Sequence, residues 1–156
     1  MLSLKHITQH DADLETARHL FKAYADQLAV DLCFQSFDEE LKNPLKKYGA
    51  PTGSLILAFW NGEPVGTVAL QELAEEGVCE MKRLYVEAPF RKFGIGDELV
   101  KAILNDAVKL GYTKMKLDTL ERLKPAIALY LKHGFIITTA YYHNPLPEVV
   151  YMECNL

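Results

Sequence analysis

The chain has 156 residues, 49% of them hydrophobic and 24% charged, so it can bury a real core as one domain spanning residues 1–156. A net charge of −4 excludes a chain-wide field suited to nucleic acid or an anionic membrane, and any anion site must be a local cluster. The three cysteines, Cys33, Cys79 and Cys154, are odd in number and far apart, which argues against a disulfide framework and against a zinc site, and for a reducing, cytoplasmic setting.

"LSLKHIT" alternates weakly and predicts a first strand, and "MLSLKHITQH" carries no signal-peptide pattern. No apolar run reaches membrane-spanning length, and the five histidines lack metal-ligand spacing, so neither a membrane anchor nor a metal is expected. From Asp11, with Asp11 and Asp13 both capping candidates, Leu14, Ala17, Leu20, Phe21, Tyr24 and Leu28 share one helical face. "SFDEELKN" predicts a short second helix opened by a serine cap, and "NPLKKYGAPTG" a closing turn.

"SLILAFW" and "VGTVALQEL" flank Asn61-Gly62, a strong hairpin signal, and "VCEMKRLYV" follows as a third antiparallel strand. In that strand Cys79 and Met81 share one face by alternation, while Leu84 and Val86 fall on the other. Either a β-bulge near Lys82 or Arg83 returns both pairs to one side, or the strand is buried on both faces. Behind "FRKFGIGDEL", Ile95, Leu99, Ile103, Ala107 and Leu110 form a helical stripe ended by Gly111. "KMKLDT" predicts a strand, "KPAIALYLKHGF" a helix with Pro125 in its first turn, and "FIITTAYY" and "VVYMECNL" the closing strands.

The loop Arg91-x-x-Gly94-x-Gly96 is neither a dinucleotide fingerprint, since Leu99 stands where glycine is required, nor a P-loop, since no GK[ST] follows. Its position between a strand and a helix N-terminus suits an anion all the same. Glycines let the backbone approach, N–H groups and the helix dipole favour negative charge, and Arg91 and Lys92 add cations. Asp97 opposes an anion if it points inward and supports the helix end if it does not. On the residues alone, an anion loop and a plain strand-to-helix hinge both remain open.

"CEMKRLYVEAPFRKFGIGDELVKAIL" resembles motif A of the GNAT superfamily of N-acetyltransferases, and "LDTLERLKPAIALYLKHGF" is similar to the motif B that follows it. The resemblance covers residues 78–137 and implies a mixed α/β sheet of the GNAT type. In that fold the N-terminal strands are antiparallel, the central parallel pair is splayed, and helices cover both faces. It implies acetyl-CoA, or another acyl-CoA, with the pyrophosphate against the N–H groups of Arg91, Lys92, Phe93, Gly94, Ile95, Gly96 and Asp97. The pantetheine would lie along Leu84, Tyr85 and Val86. Two departures stand out: Lys92 replaces a glycine many members have, and Leu123 replaces a pantetheine-contacting asparagine, leaving Thr119 as a substitute contact.

The resemblance also implies Tyr130 as general acid for the leaving thiolate and Glu80 as base or water-holder. Leu84 N–H would polarise the carbonyl. Tyr24, Phe34, Glu39, Tyr142 and His143 are expected around the acceptor, a small-molecule or peptide amine, with Phe37, Tyr141 and Glu40 (the alternative to Glu39) from the same segments and a homodimer allowed. A non-catalytic acyl-CoA-binding regulatory module is the competing reading, supported by Leu123 and opposed by Tyr130. A nucleotide-binding α/β domain fits less well, because the early strands read as antiparallel.

Overall fold

The computed structural model covers residues 1–156 and contains a seven-stranded sheet. In chain order the elements are β1 (Leu2–His6), α1 (Ala12–Leu28), α2 (Phe37–Lys42), α3 (Pro44–Tyr48), β2 (Ser54–Trp60), β3 (Glu63–Glu72) and β4 (Val78–Val86). They continue with α4 (Ile95–Lys109), β5 (Lys114–Leu120), α5 (Lys124–Lys132), β6 (Ile136–Thr138) and β7 (Val149–Asn155). The strand order is β1-β2-β3-β4-β5-β7-β6, and only β4 and β5 run parallel, joined through α4. The mixed sheet, with the strand–helix–strand unit at its centre, is the predicted architecture.

Local chemistry explains most element boundaries. Asp11 caps α1, its Oδ1 accepting from Leu14 N at 3.1 Å. Asn61 and Gly62 both take positive φ, 50° and 84°, as the two-residue turn between β2 and β3 demands. Two readings need correction. Residues 44–48 form a helix rather than a turn, because Pro44 suits a first helical position. Ser36 precedes α2 but sits in the left-handed region at φ 56° and makes no side-chain cap. The predicted strand "FIITTAYY" is also shorter than expected. It ends at Thr138, because Tyr141 and Tyr142 leave the sheet and turn their hydroxyls toward Glu80 and Asp118.

The sheet separates two cores. On one face α4 and α5 pack Ile95, Leu99, Ile103 and Tyr130 against Cys79, Met81, Leu117 and Met152. On the other, α1 and the α2–α3 segment pack Leu14, Phe21 and Tyr48 against Leu55, Leu57, Ala69 and Tyr85. Strand β4 contributes to both, and its alternation breaks once. Thr67 pairs with Tyr85 and Ala69 with Lys82, so Arg83 and Leu84 together oppose Val68. Arg83 carries the irregularity at φ 58°. The bulge brings Leu84 and Val86 to the same core as Cys79 and Met81. Both features raised by the pattern are present: β4 carries the bulge and is buried on both faces.

Candidate active site

Pairing of β4 with β5 stops at Glu80↔Lys116, and from Met81 onward the two strands diverge. A narrow cleft opens between them, lined by Met81, Lys82, Arg83 and Leu84 on one side and Leu117 and Asp118 on the other, with Tyr24 and Tyr130 reaching in from the two faces. The bulge and the divergence coincide, leaving the backbone of β4 without a strand partner on its β5 edge. Burial raises the Tyr130 pKa, so its phenol keeps its proton at neutral pH.

At one end of the cleft lies the loop between β4 and α4. Gly94 has φ 75°, and a Cβ there would meet nothing within 4 Å, so the turn needs glycine for its conformation and leaves its outer surface open. No side chain caps α4, which leaves its first N–H groups available to an anion. Asp97 does not compete for them. It pairs with Lys101 at 3.0 Å, Lys132 at 2.9 Å and His133 at 2.7 Å, and these bonds hold its carboxyl well below the usual range.

Arg91 anchors the loop: Nε donates to Val86 O at 2.8 Å and Nη2 to Gln27 Oε1 at 2.7 Å. Phe93 stacks on Trp60 with centroids 4.7 Å apart, and Lys92 lies exposed over the Phe93 ring. The Ile95 side chain is buried, so only its backbone can face a ligand. Thr119 lines a smaller cavity with Leu123 and Asp118, beside the cleft.

On the α1–α3 face a larger cavity of about 410 Å³ abuts the cleft, with Lys82 and Gln35 in the walls of both. Its floor is the charged face of β4 and β5. Glu80 accepts from Gln71 Nε2 at 2.6 Å and from the Tyr141 hydroxyl. Lys82 donates to Gln35 Oε1 at 3.0 Å. Arg83 makes a two-pronged pair with Glu40, Nε–Oε2 at 2.7 Å and Nη2–Oε1 at 2.8 Å, both side chains being 1% exposed. Burial works against ionising Glu40, but the Arg83 bonds and charge outweigh it and hold the carboxyl below its ordinary value. Gln35 ties the set together, accepting from Lys82 and Arg83 while donating to Tyr142. Tyr142 donates to Asp118, which also accepts from Asn144 Nδ2 at 2.7 Å.

Of the residues expected around the acceptor, Phe34 and Tyr142 line this cavity and Tyr24 lines the cleft. Glu39 and His143 do not, and both are corrected. Phe37 and Leu41 face the core from α2, so Glu39, two residues from each, points to solvent and pairs with Lys42 at 3.4 Å. The inward carboxylate is Glu40. His143 is exposed because Asn144 takes the inward position of that loop. Sequence reasoning missed Gln35, Gln71, Lys82, Lys116 and Asp118, and it named Tyr141 only as part of an aromatic cluster at the sheet end. One signal was present: "CEMKRLY" puts Glu80 and Lys82 on one face of a strand that must be central.

Residues 15–135 match the sequence model of the Acetyltransferase (GNAT) family. An uncharacterized N-acetyltransferase of Schizosaccharomyces pombe is 45% identical over 145 residues, covering 92% of this chain and 89% of that protein. Human N-acetylaspartate synthetase is 34% identical over 101 residues, 64% of this chain and 33% of that protein. A solved GNAT family acetyltransferase from Elizabethkingia anophelis, with acetyl-CoA bound, is alike in fold at a TM-score of 0.69 and 22% identity, covering 99% of this chain and 98% of that one.

Proposed function

The chain belongs to the GNAT family of acetyltransferases, and from that premise we propose that it moves an acetyl group from acetyl-CoA to a primary amine of a small molecule or peptide, by direct attack in a ternary complex. The observation that carries this reading is the divergence of β4 and β5 after Glu80↔Lys116. It makes a slot with a glycine turn at one end and a charged cavity on one side.

Acetyl-CoA brings the acyl group as a thioester, already activated toward an amine. The N–H groups from Gly94 to Asp97 suit its pyrophosphate, since the turn is open and the helix end uncapped. Arg91 and Lys92 add charge at the rim, and Phe93 with Ile95 completes the loop backbone. The free edge of Leu84, Tyr85 and Val86 suits an extended pantetheine chain, with Thr119 across the gap. Leu84 N–H, at the bulge, is the donor we assign to the thioester oxygen.

A primary alkyl amine has a pKa of about 10 and is mostly protonated at neutral pH, so the site must take a proton from it. Glu80 is 3% exposed, faces the cavity, and its two hydrogen-bond donors are neutral, which leaves its charge to meet an ammonium. Tyr130, on the opposite side of the cleft, holds the proton that the departing sulfur needs. The cysteines support direct transfer rather than an acyl-enzyme. Burial pushes the Cys79 thiol up to about 12 and the Cys154 thiol up to about 11, and the Asp31 carboxylate raises the exposed Cys33 thiol, so none supplies a thiolate near neutral pH. All three are free thiols, which supports a cytoplasmic setting; no helix is long and apolar enough to cross a membrane.

Free thiol released from acetyl-CoA in proportion to added amine tests the reading. Glu80→Gln is expected to lower turnover at neutral pH while acetyl-CoA still binds. Cofactor binding with no release across a broad amine panel would instead establish the non-catalytic acyl-CoA module.

A further inference from the structure

The acceptor cavity is over-supplied with cations for a site that receives an ammonium. Lys47, Lys82 and Lys116 line it, against Glu80 in the floor and Glu75 on an exposed rim, whose carboxylate lies 3.7 Å from Lys116. A pocket shaped for a plain alkylamine has no use for three ammonium groups, because each repels the incoming charge.

The arrangement is sorted rather than mixed. Glu80 is held by neutral donors, Gln71 and Tyr141. Glu40, the other buried carboxylate nearby, is consumed by Arg83 and by Lys47 at 3.3 Å. Asp118 accepts from Tyr142 and Asn144 and lies 3.9 Å from Lys82, beyond hydrogen-bond reach.

Lys82 is the informative residue. Its side chain is 5% exposed, its ammonium has three donors, and its one close acceptor is the neutral Gln35 amide oxygen at 3.0 Å. It stands where the acceptor cavity meets the cleft, since it lines both. Burying an ammonium with an incomplete set of partners disfavours folding, and the core gains nothing from it. Lys116 sits one strand away, in register with Glu80, its ammonium 5.4 Å from the Tyr141 ring centroid. The cavity thus presents a negative point at Glu80 and a positive wall beside it, the complement of a zwitterion.

We propose that the acceptor is an amine that also carries a carboxylate, an amino-acid-type molecule whose ammonium meets Glu80 and whose carboxylate meets Lys82, with Lys116 completing the wall. This rests on the acetyltransferase reading above. Lys82 and Lys116 are then the specificity-determining residues, and Glu80 serves both binding and proton removal.

The test compares amino acids with their own carboxamides, for example aspartate, glutamate and alanine against alaninamide, together with propylamine and phosphoethanolamine. Thiol release is followed in wild type, Lys82→Met and Lys116→Met. The amide has the less basic amine, which on reactivity alone favours it, so selection for the acid must come from the pocket. The expected result is kcat/KM at least tenfold higher for the acids. In Lys82→Met the acid-to-amide ratio collapses toward one, mainly through KM. Lys116→Met, at a more accessible position, shifts it the same way by a smaller factor and covers the case in which Lys82→Met does not fold. Equal or better turnover of amides, propylamine or phosphoethanolamine overturns the proposal.

Calorimetry with glutarate separates the two readings. Glutarate binding that Lys116→Met weakens, with no amine acetylated, keeps the carboxylate pocket and removes the transferase assignment. No glutarate binding, together with no preference for acids, removes the pocket.

Discussion

The two sides of the cleft are built on opposite principles. The proposed donor side comes from one continuous stretch, the end of β4, the turn through Gly94 and the first turn of α4, and the groups it offers are backbone N–H. The acceptor side is collected from distant places. Gln35 comes from the turn after α1, Lys47 from α3, Glu80 and Lys82 from β4, Lys116 from β5 and Tyr141 from the loop before β7. Its working groups are charged side chains. A backbone cradle tolerates substitution wherever its turn is kept, whereas a side-chain wall changes its preference with one residue. That division suits an enzyme whose donor is fixed and whose acceptor differs between relatives.

Several substitutions press on this contrast. The largest effect is expected from Glu40→Ala, which leaves the Arg83 guanidinium buried and unpaired. Loss of about 3–5 kcal/mol is predicted, read by urea or thermal unfolding. A loss under about 1 kcal/mol would mean that the acceptor wall does not depend on this pair. Tyr130→Phe comes next: kcat lowered on the order of a hundredfold, with acetyl-CoA affinity unchanged by calorimetry. Unaltered turnover removes Tyr130 from the chemistry.

Gly94→Val forces a β-branched residue into φ 75°, at a cost of about 1–2 kcal/mol. Acetyl-CoA binding should weaken roughly tenfold, the equivalent of about 1.4 kcal/mol, while the acid-to-amide ratio stays put. If the ratio moves instead, the two sides are not separable.

The smallest effect is in acid. Glu40 titrates lower in the folded chain than its unfolded value of about 4.5, so its contribution is complete above that pH and is lost as pH falls through the folded value. Glu40→Gln should therefore flatten the acid limb of the stability profile measured between pH 5 and pH 2, values chosen to span roughly that window.

The same contrast decides what was legible in the sequence. Alternation, the Asn61-Gly62 turn, the stripe from Ile95 to Ala107 and the Gly94 loop are local signals, and each became the expected element, whereas Leu110 follows the end of α4 and is exposed. The bulge was legible because apolar residues on the wrong face have a definite cost, and the pattern of Cys79, Met81, Leu84 and Val86 allowed few solutions. The acceptor wall was not. A lysine in a strand reads as solvated, and nothing local to Lys82 reveals that Gln35, 47 positions away, supplies its acceptor. Glu39 and Glu40 are indistinguishable by type, and only the packing of Phe37 and Leu41 decides which one turns inward.

The bulge at Arg83 can also be read as a count. Remove Arg83 from "VCEMKRLYV" and the strand alternates without interruption, with Cys79, Met81, Leu84 and Val86 on one side and Glu80, Lys82 and Tyr85 on the other. The shorter strand would place the same residues on the same two faces with no bulge. Glu40 would lose its two-pronged partner and keep only Lys47 at 3.3 Å. The distance between the bulged strand and an ordinary one is a single residue, and that residue is the one whose side chain anchors the acceptor wall.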